Sequence, residues 1–206
     1  TADGTISAAA LIQDRKVLRY IGKKYITARR EMGFLVPSKG YEYATIKGHK
    51  CAIIVGDDLS RERDFDQSVE TVISINARKY GKGTMTYRYE MMRNLAFVES
   101  KNLVLVNQVG GSTDIVYDGT SGALNSRGEL VLMMKNFEED FQIFDTKASA
   151  RPISIPSTYN DRTRLVYEAA RCGLRDFFRK NGYRKASIGL SGGIDSAVVA
   201  CLAADA

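Results

Sequence analysis

From residue 8 to about residue 144 the chain alternates short apolar runs with turn signals. Residues 8–12 and 17–21 flank Asp14-Arg15, a pattern that predicts two strands joined by a tight turn. Residues 49–55 are almost continuously apolar between Gly48 and Gly56, which predicts a strand covered on both faces, and residues 71–76 and 103–107 repeat the pattern. Between those two, residues 86–100 carry Tyr87, Met91, Leu95 and Val98 at helical spacing. Strand, helix, strand in that order predicts an α/β layer structure with right-handed crossovers. Residues 115–117, 123–125 and 129–135 then read as shorter strands separated by Asp-Gly, Ser-Gly and Arg-Gly turns.

The periodicity breaks at residues 146–161, which hold Pro152 and Pro156 among serines and Asn160, and this stretch is assigned as a linker. Beyond it, residues 162–180 predict an amphipathic helix ended by Asn181-Gly182, residues 185–190 a strand, and residues 195–204 a further helix. The expected domains are therefore 1–145, then the linker 146–161, then 162–206, with the chain read as open at both ends.

Composition narrows the chemistry. The 206 residues are 44% hydrophobic and 26% charged, enough for a buried core. Apolar runs of only a few residues argue against a membrane-spanning chain. The 3 cysteines, Cys51, Cys172 and Cys201, are too widely spaced for a disulfide framework or a Cys-x-x-Cys metal site, and reduced thiols predict a cytoplasmic setting. His49 is the single histidine, so any catalysis runs largely without imidazole. Part of the net charge of +6 sits on Arg171, Arg175 and Arg179, which share a helical face. No DNA- or RNA-binding signature accompanies them, so the stripe is read as a solvated face or a contact for a polyanionic small molecule rather than a nucleic-acid site.

The most informative motif is Ser191-Gly192-Gly193-Ile194-Asp195-Ser196, placed between a predicted strand and a predicted helix. Paired glycines allow a sharp backbone turn close to an anion, successive N–H groups form a nest, and the helix N-terminus adds its positive dipole end. The two hydroxyls complete a pyrophosphate cradle. Asp195 would repel phosphates unless a Mg²⁺ ion bridged them, so the motif predicts that metal. It is neither the Gly-x-x-x-x-Gly-Lys loop nor Gly-x-Gly-x-x-Gly.

These six residues resemble the loop of the ATP pyrophosphatase group. Residues 167–183, from Tyr167 to Tyr183, followed by 188–197, are similar to the opening of the NAD synthetase domain within that group. In the first block, residues 106–111 and 115–121, with 9–14, 23–26, 48–58, Gly81-Lys82 and Arg88, resemble the glutaminase domain of glutamine-dependent NAD synthetases, a nitrilase-like amidase. The resemblance implies a nitrilase-like α-β-β-α sandwich followed by the start of a Rossmann-like adenine nucleotide hydrolase domain. It implies a ligase that amidates nicotinic acid adenine dinucleotide to NAD through an adenylylated intermediate, using ATP and Mg²⁺, with ammonia drawn from glutamine, in a homo-oligomer without nucleic acid or membrane partners. ATP would be held by Gly189, Leu190, Ser191, Gly192, Gly193, Ile194, Asp195 and Ser196, with Asp195 on the metal.

Such amidases use a Glu-Lys-Cys triad, in which a thiolate attacks the amide, a lysine stabilises the oxyanion and a glutamate shuttles protons. By the resemblance the glutamate lies before Thr1, the lysine falls on Lys23, and the cysteine position is occupied by Gly56 in Val55-Gly56-Asp57-Asp58. Cys51, five residues earlier and inside the predicted strand, reads as a core thiol. The glutaminase chemistry is therefore expected to fail and free ammonia to serve instead. The alternatives are a stand-alone carbon-nitrogen hydrolase and a non-catalytic fragment.

Overall fold

The computed structural model describes residues 4–27, 29, 31–39, 43–61, 65–146 and 151–206. Strands β1 (Ala8–Gln13) and β2 (Lys16–Gly22) form an antiparallel hairpin whose turn places Asp14 and Arg15 at φ 50° and 63°. Two successive left-handed residues match the twist of the flanking strands, so the tight turn is reached without glycine.

The central sheet has six strands in the order β10-β9-β6-β5-β4-β3. These are β3 (Tyr43–Ile46), β4 (His49–Val55), β5 (Thr71–Asn76), β6 (Asn102–Asn107), β9 (Gly122–Leu124) and β10 (Leu130–Met133). β4, β5 and β6 run parallel, and the outer strands pair antiparallel. The register Val55↔Ile75 and Ile75↔Val106 brings the carboxyl ends of the three parallel strands level.

Helix α1 (Thr84–Glu99) crosses from β5 to β6 and buries Met85, Tyr89, Met92, Leu95 and Ala96 against Ala52, Ile54, Val72, Leu103, Leu105 and Leu124 of the sheet. The expectation of strands covered on both faces needs correction. α1 covers one face, whereas Ile75 and Val106 on the other are 40% and 48% exposed. The continuous apolar run could not reveal this, because it carries no alternation from which to tell the two faces apart.

Two strands escaped the sequence reading. β3 has only four residues, and β7 (Val109–Ser112), which pairs with β8 (Ile115–Asp118), contains Gly110-Gly111 in place of strand-forming side chains. The glycines serve an approach. A Cβ at Gly111 would lie 3.0 Å from Gly173 Cα of helix α2 (Arg162–Asn181), so the bare backbone lets the helix lie directly on the hairpin.

α2 starts where Asp161 accepts a hydrogen bond from Arg164 N at 3.0 Å and ends at Gly182, φ 71°. Its buried face carries Leu165, Ala169, Cys172 and Asp176 at helical spacing, and the first three join the same hydrophobic cluster as the sheet. Phe177 and Phe178 pack against Tyr183 near the helix end, with Phe177 half exposed. The arginine stripe is tied down locally. Arg171 pairs with Glu168 at 2.7 Å, and Arg175 and Arg179 each approach the buried Asp176 at 3.4 Å.

Helix α3 (Ile194–Asp205) follows, touching α2, where Tyr167 Oη hydrogen-bonds Asp205. The expected strand over residues 185–190 is not formed. Those residues pair with no strand among the described residues, and Leu190 is 67% exposed, since a strand needs a neighbour to take its N–H and C=O groups. The expected linker contains a short 3₁₀ turn at Ser157–Tyr159, and Ile153 N bonds Leu130 O at 2.8 Å, which ties this stretch along the β10 edge. No helix among the described residues is long and apolar enough to cross a membrane.

Candidate functional site

Parallel sheets place ligands beyond the carboxyl ends of their strands, and a cleft of about 650 Å³ lies there. Lys23, immediately after β2, is 5% exposed and projects into this cleft. Its Nζ lies 2.7 Å from Glu31 Oε2. Gly56, immediately after β4, begins a 3₁₀ turn (Gly56–Ser60) with φ 66°. A Cβ at this position would stand 3.4 Å from Lys23 Nζ and 3.2 Å from its Cε. Lys23 and position 56 are thus brought together across 33 residues of sequence, and a side chain at position 56 would contact the ammonium.

The alignment of these two groups is enforced from behind. Asp58, 3% exposed, accepts Lys24 N at 2.6 Å and Tyr25 N at 3.0 Å, pinning the segment after Lys23 to the turn that carries Gly56. Two backbone N–H groups on one carboxylate make charge-assisted bonds, stronger than neutral ones. Beside it, Asp57 pairs with Arg78 at 3.1 Å.

The floor is a buried charge network. Arg88, fully buried on α1, holds Asp118 through two bonds of 2.9 Å and donates to Gly119 O at 3.1 Å. Asn107 at the end of β6 donates to Asp118 at 2.9 Å and Gly119 O at 3.0 Å, and its Oδ1 accepts Arg78 N at 2.8 Å. Burial pushes the Asp118 carboxyl above its ordinary pKa, and the Arg88 guanidinium pulls against that shift.

No thiol reaches the cleft among the described residues. Cys51 is buried within β4, its Sγ 3.7 Å from His49 O, and burial followed by the charge of Glu70 raises its pKa, as expected of a core thiol. Cys172 lies buried on α2 and Cys201 is exposed on α3. Glu31, Asp57, Asp58 and Arg78 were not picked out as contributors by sequence reasoning. Glu31 sits eight residues past Lys23 in a stretch without periodicity, and the only signal for the two aspartates was their adjacency to Gly56.

The second candidate site is the glycine loop. Gly192 takes φ 85°, a left-handed conformation that favours glycine. Gly193 caps α3 with no side-chain bond, leaving the first N–H groups of the helix open. Ser191 Oγ and Ser196 Oγ are 3.2 Å apart, and Ser196 Oγ donates to Gly193 O at 3.0 Å. Asp195 lies in the first turn of α3, and residues 189–195 are all exposed. Gly189 and Leu190 enter the loop outside any helix or strand. The described residues contain no group of three or more His, Cys, Asp or Glu placed to hold a metal. A lone carboxylate suits Mg²⁺ only where substrate phosphates and water complete the shell, which is how that ion is commonly held.

The sheet and its crossover helix share their fold with solved proteins of the nitrilase superfamily. The fold matches a carbon-nitrogen hydrolase from Helicobacter pylori with a TM-score of 0.58 at 17% identity, over 68% of this chain and 56% of that one. It also matches a nitrilase-superfamily amidase from Nesterenkonia with a TM-score of 0.54 at 16% identity, over 62% of this chain and 50% of that one.

In sequence the chain is homologous to glutamine-dependent NAD(+) synthetases. It is 29% identical to the enzyme of Acinetobacter baylyi over 209 residues, covering 97% of this chain and 39% of the relative. The identity to the Synechocystis enzyme is 31% over 183 residues, covering 80% and 33%. The solved glutamine-dependent NAD+ synthetase of Acinetobacter baumannii, a complex with adenosine diphosphate, superposes with a TM-score of 0.82 at 28% identity over 100% of this chain and 41% of that one. The NAD synthase family profile matches residues 166–206. The chain spans between 33% and 39% of the length of these two curated relatives.

Proposed function

We propose that this chain is the junction of an NAD synthetase, with residues 1–145 a nitrilase-like domain, 146–161 a linker and 162–206 the opening of the synthetase domain. The reaction is ATP-dependent amidation of nicotinic acid adenine dinucleotide. A carboxylate is a poor electrophile, so one of its oxygens first attacks the α-phosphorus of ATP and expels pyrophosphate. Ammonia then displaces AMP from the adenylylated carboxyl group, yielding the carboxamide.

The observation that carries this reading is the Ser191–Ser196 loop, which opens directly onto the N-terminus of α3 within the stretch matched by the NAD synthase profile. In this role Gly189 to Ser196 hold the polyphosphate through backbone N–H groups and the two hydroxyls. Asp195, in the first turn of α3, would share Mg²⁺ with the phosphates, and the ion when bound would neutralise charge developing on pyrophosphate. The ADP complex of the Acinetobacter baumannii relative supports a nucleotide site in this kind of protein.

The ammonia source follows from Gly56. A glycine has no nucleophile, and the structure brings no other thiol to Lys23 among the described residues. The nitrilase-like portion thus forms no thioester, and free ammonia is the nitrogen donor. The test is NAD formation by the complete protein with ammonium or glutamine as sole nitrogen source. Ammonium-supported turnover with negligible glutamine-supported turnover is expected, and comparable rates with glutamine would overturn the assignment.

A further inference from the structure

We propose that a second cavity, enclosed by the start of α1, the 3₁₀ turn at Ser157–Tyr159 and the first turns of α2, is a binding site for a small planar aromatic carboxylate. This cavity shares no lining residue with the cleft beside Lys23 and Gly56, and it stands whatever the nitrogen donor of the synthetase is.

The cavity holds about 580 Å³, a volume that takes a small organic molecule. Its apolar lining comes from two helices: Met85 of α1 and Leu165 of α2 are buried, and Val166 reaches toward solvent. Two tyrosines add flat walls that are fixed before any ligand arrives. Tyr80 N bonds Val116 O at 2.7 Å, and its ring meets Phe137 edge-on with centroids 5.2 Å apart. Tyr159 Oη donates to Met134 O at 3.1 Å. Rings held in this way present aromatic surface to a planar ligand at little further ordering cost.

The charge of the lining has one sign. Lys82, just before α1, and Arg162, the first residue of α2, both line the cavity, and neither has an ion pair among the described residues. No Asp or Glu lines it among those residues. Asp161, next to Arg162 in sequence, is occupied elsewhere, because its carboxylate accepts Arg164 N at 3.0 Å and caps α2. An apolar ring therefore finds matching walls, and a carboxylate on it finds two cations without competing for them against a protein carboxylate. The Arg162 guanidinium suits a carboxylate in particular, since the two planar groups can share a pair of parallel hydrogen bonds.

Calorimetric titration of the complete protein with 2-naphthoate, its uncharged isostere 2-naphthamide, and inorganic phosphate tests the site. Naphthoate is expected to bind, and naphthamide and phosphate to bind at least about tenfold more weakly. Lys82→Gln and Arg162→Gln are each expected to weaken naphthoate by about fivefold. Val166→Asp, which sets a carboxylate at an exposed position of the lining, should weaken it by at least about tenfold. Lys79→Gln, in the neighbouring cleft, should leave it unchanged. Circular dichroism of each variant establishes that it is folded, and the exposed positions 82, 162 and 166 give variants independent of the core. Absence of naphthoate binding, equal binding of naphthamide or of phosphate, indifference to Val166→Asp in folded protein, or a loss on Lys79→Gln equal to that on Lys82→Gln would each overturn the proposal.

Discussion

The cleft and the glycine loop are opposite kinds of incomplete site. The cleft has its architecture: three level strand ends, a buried lysine held 2.7 Å from a glutamate, and a fully buried arginine beneath, yet a hydrogen atom stands where a side chain would meet the ammonium. The loop has every residue of its motif, but it stands exposed, and its preceding segment pairs with no strand among the described residues. Architecture survives the loss of one side chain because it is distributed over many contacts. A phosphate loop, by contrast, is a local backbone conformation set by two glycines and a helix start.

The sharpest way to break this contrast is at the floor of the cleft. Arg88→Met leaves Asp118 buried without its partner and should cost about 3–5 kcal/mol in urea denaturation. A loss under about 1 kcal/mol would mean that the network is not what holds the cleft together. Next comes the contact between α2 and the β7–β8 hairpin. Gly111→Ala forces a Cβ to 3.0 Å from Gly173 Cα and 3.3 Å from Asp176 Cβ, and about 1–3 kcal/mol of destabilisation is expected, with faster proteolysis near α2.

A third variant restores what the cleft lacks. Gly56→Cys places a thiol beside the Lys23 ammonium, which favours the thiolate, so at neutral pH it should react with iodoacetamide about tenfold faster than the exposed Cys201. Adding Lys23→Met should abolish the difference. Cys51 and Cys172, whose pKa values burial raises, should stay unlabelled until the protein is denatured. The smallest effect is at the loop, where Asp195→Asn should change stability by less than about 0.5 kcal/mol while weakening Mg²⁺-dependent nucleotide binding by the complete protein.

The sequence was most readable where one local rule acts alone. Asp14-Arg15 as a turn, 71–76 as a strand and Gly182 as a helix end all follow from nearest neighbours, and all three stand in the structure. It was least readable where a residue serves a distant partner. Gly110-Gly111 carry no strand-forming side chains yet lie in a strand, because the pressure on those positions comes from α2, some 60 residues on. Residues 185–190 have strand composition, but a strand is a pairing and not a composition, and no partner stands beside them among the described residues. Lys23 and Gly56 could be placed by resemblance, while Glu31 and the Asp58 clamp emerge only once the chain has folded back on itself.

The account turns on the empty position facing Lys23, and glutamate release from glutamine by the complete protein tests it most directly. No release above the uncatalysed background is predicted, with release appearing only when a thiol is supplied at position 56. Release at the rate of an ordinary amidase from the unaltered protein would mean that another nucleophile reaches the cleft, and would contradict the account.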